Sequence, residues 1–239
     1  MTRPSSGEGR VPPGPIPIPV LFENEEYLAV DKPAGVLSVA EAGRGGLPEL
    51  LKGHAPGRLL PVHRLDRGAS GAIVFAKTAA AHRHLNGAFD RREVRKTYLA
   101  LVDGVPSANR GQINAPLREF GSGRMGVDAR RGKPSSTAWK VAEKLAGATL
   151  LRVQPATGRR HQIRVHLYHI GHPILGDLRY GERARQRDVP RLMLHALSLE
   201  FALPSGENVT VEAPPPRSFE EVVSRYRTGP RRPEQRKTP

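Results

Sequence analysis

The 239-residue chain is 38% apolar and 26% charged, long enough to bury a core, with no apolar run near the roughly 20 residues of a membrane span and no apolar secretion core at its start. It has no cysteine, which excludes disulfides and thiolate metal sites and fits a reducing cytosol. Lys and Arg outnumber Asp and Glu by 38 to 23, a formal charge of +15, and so large an excess points to a polyanionic partner, either nucleic acid or an anionic membrane.

The run Gly9–Pro19 holds seven prolines and glycines without periodicity, so residues 1–19 are expected to form a disordered lead. Order is expected from Val20, and Tyr27–Val30 reads as a strand that stops at Asp31-Lys32-Pro33-Ala34-Gly35, where proline and glycine turn the chain. Residues 43–57 are glycine-rich but lack the G-x-x-x-x-G-K-[ST] pattern of a phosphate-binding loop.

Pro61–Thr78 reads P-V-H-R-L-D-R-G-A-S-G-A-I-V-F-A-K-T. Val62 and Leu65 anchor a polar run of His63, Arg64, Asp66 and Arg67, followed by a tight turn and the β-rich stretch Ala72–Ala76. This predicts a strand, a loop and a second, buried strand. A carboxylate between arginines, just before a glycine-rich turn, is kept ionised where a ligand can approach the backbone. An isolated R-x-D-R would be read as a surface ion pair.

Thr78 is placed to cap a helix to about Asp90, with Ala81, Leu85, Ala88 and Phe89 as its stripe. A basic connection of Arg91, Arg92, Arg95 and Lys96 leads into K-T-Y-L-A-L-V-D-G, apolar on both faces and therefore a central strand. Gln112–Leu117 and Ser136–Leu145 read as strands. Between them Phe120–Pro134 reads as a basic, glycine-rich loop fit for phosphate contact. Ala148–Ala156 is a strand and leads to T-G-R-R-H-Q-I-R-V-H-L. There Ile163, Leu167 and Ile170 mark a buried helix face, and Arg160, Arg164 and Tyr168 fall on another. Met193–Leu203 alternates with Leu197, Leu199, Phe201 and Leu203 inward. Ser218 and Glu221 are spaced as a capping box for a last helix striped by Phe219, Val222, Val223 and Tyr226. Residues 227–239 are expected to be a disordered basic tail.

Three blocks carry a resemblance: V-D-K-P-A-G-V-L-S from Val30, H-R-L-D-x-x-x-S-G from His63, and Q-P-A-T-G-R-x-H-Q-I-R-V-H-L from Gln154. Joined by K-T-Y-L-A from Lys96 and G-H-P-I-L-G-D-x-R-Y-G from Gly171, they resemble the RluA family of pseudouridine synthases over roughly residues 20–225. The resemblance implies one α+β catalytic domain, 20–226, with the pseudouridine synthase fold: a mixed, largely antiparallel sheet, flanking helices and a central active-site cleft. It leaves no room for the extra N-terminal RNA-binding domain of many relatives. It implies an isomerase that converts uridine to pseudouridine in structured RNA, ribosomal or transfer, with Asp66 as nucleophile. Tyr98 would stack on the flipped base and accept the C5 proton, and Arg164 would pair with Asp66. Arg64, His63, Arg95, Lys96, Arg160 and His161 are expected to contact substrate, Arg64 by filling the space the base vacates. No cofactor or metal is implied, because an isomerisation needs no redox step and no group donor. The expected setting is cytoplasmic and monomeric, with RNA as partner, no membrane and no obligatory protein partner. The family usually has threonine where this chain has Ala69, which puts the rigidity of the Asp66 loop in question.

Three rival readings compete with this one. A metal site from His161, His166, His169 and His172 fails on helical geometry, since 161 and 166 diverge by about 140°. A Ser70–His63–Asp66 triad lacks the G-x-S-x-G elbow. A non-catalytic RNA-binding protein of the same fold would be expected to have lost Asp66, Tyr98 or Arg164.

Overall fold

The computed structural model describes residues 17–41, 43–55, 57–182 and 188–229. The expected disordered lead (1–16 of it) and tail (230–239 of it) lie outside the described residues. Among the described residues, twelve strands and four helices follow in order: β1 (Val20–Glu23), β2 (Tyr27–Lys32), α1 (Leu47–Leu50), β3 (Leu60–Pro61), β4 (Ser70–Ala76), α2 (Ala79–Asp90), β5 (Arg95–Asp103) and β6 (Arg110–Asn114). The second half holds β7 (Leu117–Glu119), β8 (Met125–Val127), β9 (Ser136–Lys144), β10 (Ala148–Pro155), α3 (Gln162–His169), β11 (Leu194–Ala202), β12 (Asn208–Glu212) and α4 (Arg217–Arg227).

Ten strands form one sheet, ordered β1-β2-β4-β11-β5-β10-β9-β6, with β12 on β11 and β3 on β4. Among the described residues the β4–β11 pairing is the parallel one, and the others are antiparallel. The expected mixed α+β architecture is what the chain adopts. At the parallel junction Gly71 has φ +114° and packs on the Ala196 backbone, where a Cβ would fall 2.2 Å from the carbonyl oxygen. No other residue type fits there.

β4 and β5 are apolar on both faces because each is covered on both. One face, with Leu101, Leu151, Phe75 and Val153, packs under α3 and α4. The other, with Tyr27, Val74, Leu199 and Phe201, packs under α2. The Thr78 hydroxyl accepts from Ala81 N–H at 3.1 Å and starts α2 as expected, a cap worth about 1 kcal/mol.

Five local expectations are corrected. Val62–Leu65 is not a strand: Leu65 exchanges hydrogen bonds with the Ser38 hydroxyl, and His63 Nε2 accepts from Val74 N–H at 3.1 Å where a ladder partner would sit. The Phe120–Pro134 loop contains strand structure, because Leu117 and Met125 are buried against Val165 and Tyr180 and hold β7–β8 together as a hairpin. Arg160 is not on the helix face of Arg164, since α3 begins only at Gln162. Ser218 does not cap α4. The helix starts two residues earlier, at Arg217 with Pro216 as its N-cap, and the Ser218 hydroxyl accepts from Arg191. Arg227, assigned to the tail, is the last residue of α4 and pairs with Glu143 at 2.7 Å.

Candidate active site

Asp66 stands in the irregular segment between β3 and β4, and the 32–38 block grips that segment from below. Ser38 Oγ donates to the Leu65 carbonyl at 2.8 Å and accepts from Leu65 N–H at 3.0 Å. Gly35 N–H donates to the Arg67 carbonyl at 2.7 Å, and Arg67 Nε donates to the Gly35 carbonyl at 2.9 Å. Lys32, wholly buried, donates Nζ to the carbonyls of Pro33, Val36 and Arg67 at 3.0, 2.7 and 3.3 Å. Ala69 N–H closes a turn onto the Asp66 carbonyl at 3.0 Å. Bonds from the Ser38, Lys32 and Arg67 side chains and from the main chain therefore brace the loop that Ala69 leaves without a hydroxyl.

Asp66 Oδ2 accepts from Arg164 Nη1 at 2.9 Å. The same guanidinium reaches Asp177 through Nε at 2.7 Å and Nη2 at 2.8 Å, a planar two-bond pair with a carboxylate that is fully buried. Asp177 also accepts from the N–H groups of Arg179 and Tyr180. On the other side of Asp66, His161 Nε2 lies 3.8 Å from Oδ1, and its Nδ1 is 2.9 Å from the Tyr180 hydroxyl. His161 has φ +54°, and the other non-glycine residue at positive φ among those described is Arg92. Such a backbone costs on the order of 1–3 kcal/mol and persists where the surroundings over-determine it.

Asp66 opens into a cleft of about 470 Å³ lined also by Arg64, Tyr98, Lys96, Arg160 and Arg164. Tyr98 enters its wall from β5, between Val153 of β10 and Ala196 of β11. Lys96 lies 5.8 Å over the Phe89 ring, with Nζ 3.5 Å from the Thr157 carbonyl. Arg64 is exposed and pairs outward with Glu41 at 2.5 Å. Arg95 is turned away from the cleft to Glu200 at 3.0 Å. Arg160 bridges to Glu119 of β7 at 2.7 Å, beside a second groove lined by Arg118, Arg131, Lys133 and Arg159. His63 lines the cleft but stacks on Phe89 at 4.9 Å, so its ring completes the sheet. The structure thus brings Asp66, Tyr98, Arg164 and His161 together, with Lys96 and Arg160 at the rim.

Burial, then the charge of Asp66, pushes the Tyr98 hydroxyl well above the usual phenol range, so it stays protonated. Burial takes His161 down to about 4, against the pull of Asp66, and takes His63 down to about 3. Arg164 is opposed by burial, but its bonds to Asp177 and Asp66 hold its proton more firmly than usual. Burial lowers Lys32 to about 7.

Three of the histidines of the rejected metal reading face separate partners: His166 the Thr137 hydroxyl and Ala115 carbonyl, His172 the Asp103 carbonyl, His161 Tyr180. Ser70 is bonded to His195 at 2.8 Å and Arg191 at 2.6 Å, not to His63.

Residues 26–169 match the family model described as RNA pseudouridylate synthase. The chain belongs to the RNA pseudouridylate synthase family. It is similar to an uncharacterised RNA pseudouridine synthase of Zymomonas mobilis, 40% identical over 212 residues that cover 85% of this chain and 96% of the relative. The ribosomal large subunit pseudouridine synthase C of Escherichia coli K12 is 39% identical over 222 residues, covering 87% of this chain and 70% of that protein. Among solved structures, human RNA pseudouridylate synthase domain containing 1 superposes with a TM-score of 0.74 at 32% identity, covering 90% of this chain and 87% of that one. As a member of this family the chain is an isomerase acting on RNA. Family motifs contain two residues that were given no role in the sequence, Lys32 and Asp177. The signal for Asp177 was present in G-D-x-R-Y-G, but nothing local tells a buried anchor from a surface carboxylate.

Proposed function

We propose that this protein makes pseudouridine in structured RNA with Asp66 as its nucleophile, acting as a single catalytic domain over residues 20–226. The observation that carries it is Asp66 on the floor of a basic cleft, its Oδ2 paired to Arg164, beside the ring of Tyr98. Ribosomal RNA is the favoured substrate, since relatives at 39% identity are named for the large ribosomal subunit; transfer RNA is the alternative. The setting is the cytoplasm, the active form a monomer that needs no protein partner and no cofactor.

The reaction breaks N1–C1′, turns the freed uracil and joins C5 to C1′. N1 gains a proton and C5 loses one, so the net change is an isomerisation. Asp66, held in place by its bond to Arg164, attacks or deprotonates the ribose. The uridine leaves the stack to reach it. Tyr98 stacks on the detached uracil. Being uncharged, its oxygen can take the C5 proton only while passing its own proton on. Arg64 would have to exchange Glu41 for the RNA to fill the vacated space. His63 and Arg95, bonded elsewhere, contribute less to substrate contact than Lys96 and Arg160.

The test is Asp66→Asn, which keeps the shape and removes the charge. The variant should fold and bind RNA with no measurable turnover, and activity within about tenfold of wild type would sink the nucleophile. Mapping pseudouridines in cellular RNA with and without the gene identifies the substrate.

A further inference from the structure

The Tyr180 hydroxyl is a junction between the β7–β8 hairpin and the catalytic carboxylate. Its oxygen accepts from Met125 N–H at 3.1 Å and lies 2.9 Å from His161 Nδ1. A phenol has one proton to donate, and among the described residues the acceptor in reach of it is His161 Nδ1. That bond puts the neutral ring's own proton on Nε2, the nitrogen facing Asp66 Oδ1 at 3.8 Å. The opposite tautomer would leave the phenol proton without an acceptor and aim a lone pair at a carboxylate oxygen. The left-handed backbone at His161, φ +54°, aims the ring between Tyr180 and Asp66.

We infer that His161 is a positioning residue for the isomerisation: protonated on Nε2, it closes onto Asp66 Oδ1 when RNA fills the cleft, so that each carboxylate oxygen has its own donor. This rests on Asp66 as the reacting carboxylate. The gap of 3.8 Å is beyond a hydrogen bond, and such contacts tighten in the substrate complex. Asp177 then sets both donors, Arg164 directly and His161 through the Tyr180 N–H it accepts. Because Met125 belongs to the basic hairpin, the chain of contacts also ties the position of that hairpin to the carboxylate.

The groups facing His161 are Asp66, Arg164, Arg160 and Arg179, and those facing Asp66 are Arg164, His161, Lys32 and Tyr98. Removing the Nε2 donor disfavours the ionised carboxylate and therefore moves the acid limb of the pH–rate profile to higher pH. His161→Asn tolerates the left-handed backbone but is too short to reach Asp66, whereas His161→Gln retains an N–H at a similar reach. Single-turnover rates at saturating RNA across pH, RNA affinities, and the Asp66→Asn control make the experiment.

His161→Asn should lose at least about tenfold in saturated rate, shift the acid limb upward and keep its RNA affinity within about twofold. His161→Gln should recover part of the rate, and Tyr180→Phe should shift the limb in the same direction. An unchanged rate and limb in His161→Asn, an effect confined to affinity, or a rate loss with an unmoved limb and no rescue by Gln each overturns the assignment while leaving Asp66 in place. Activity in Asp66→Asn would instead remove the reading beneath it.

Discussion

Arg164 gives two of its guanidinium nitrogens to Asp177, at 2.7 and 2.8 Å, and one to Asp66, at 2.9 Å. The two-bond partner is the carboxylate sealed from solvent, and the one-bond partner is the carboxylate open to the cleft. The arginine is thus fixed independently of the group that is proposed to react, and Asp66 can exchange its bond for the ribose without releasing the cation.

Asp177→Asn should therefore harm both stability and turnover. It leaves Arg164 buried with half its compensation, a loss of about 3 kcal/mol by analogy with other broken buried pairs. Arg164→Lys cannot serve two carboxylates with a planar fork and should rescue the rate of Arg164→Ala only in part. Chemical denaturation and single-turnover rates check this. An Asp177→Asn protein with wild-type values of both would show the anchor to be dispensable.

Tyr98 lies between two strands of the sheet with its hydroxyl held protonated. Tyr98→Phe should keep RNA affinity and lose most of the rate if the hydroxyl relays the C5 proton. Tyr98→Ala should in addition weaken binding by about 1–3 kcal/mol, the worth of one stacked base. Equal rates and affinities in Phe, Ala and wild type would reduce the tyrosine to core packing.

RNA binding should be strongly salt-dependent, and unevenly so over the surface. Arg91 and Arg95 already face Glu93 and Glu200, whereas Arg131, Lys133 and Arg159 line the groove beside the cleft. With about five phosphates neutralised at a slope near 0.7 each, raising salt from ~50 to ~200 mM should weaken binding on the order of 100-fold. Neutralising Arg131, Lys133 and Arg159 should flatten that slope more than neutralising Arg91 and Arg95, with little effect on the saturated rate. A salt titration of affinity decides it, and the reverse order would relocate the grip.

Lys32 predicts a pH effect on folding. Burial lowers its pKa from 10.5 to about 7, so between those values the unfolded chain holds a proton that the folded one has released. Stability rises with pH wherever the unfolded state binds more protons, so this group's penalty is full below about pH 7 and fades as pH rises toward 10.5. Comparing denaturation midpoints of wild type and Lys32→Met from pH 7 to 10 isolates it. The wild type should gain on the variant as pH rises, and a constant difference would show that the three carbonyls around Nζ keep the ammonium charged.

What the sequence determined by itself was whatever a short run of residues settles alone. Apolar stretches with their period gave β4, β5 and α2, and the motif resemblance singled out Asp66, Tyr98 and Arg164, two of them 98 positions apart yet 2.9 Å from each other in the fold. Tertiary structure alone decided which polar groups are anchors and which are open to substrate. His63 and Leu65 looked like strand residues, and they became loop because partners at Val74 and Ser38 satisfied them. Arg160 and Arg164 share a helical spacing, yet one turns to the hairpin and the other to two carboxylates. Nothing local marks Lys32 or Asp177 as an anchor, and burial brings each onto several partners. Periodicity reports which side chains avoid water, a property of the local chain. A buried polar group must instead find its partner wherever the fold delivers one, and that depends on residues too distant in sequence for any local pattern to record.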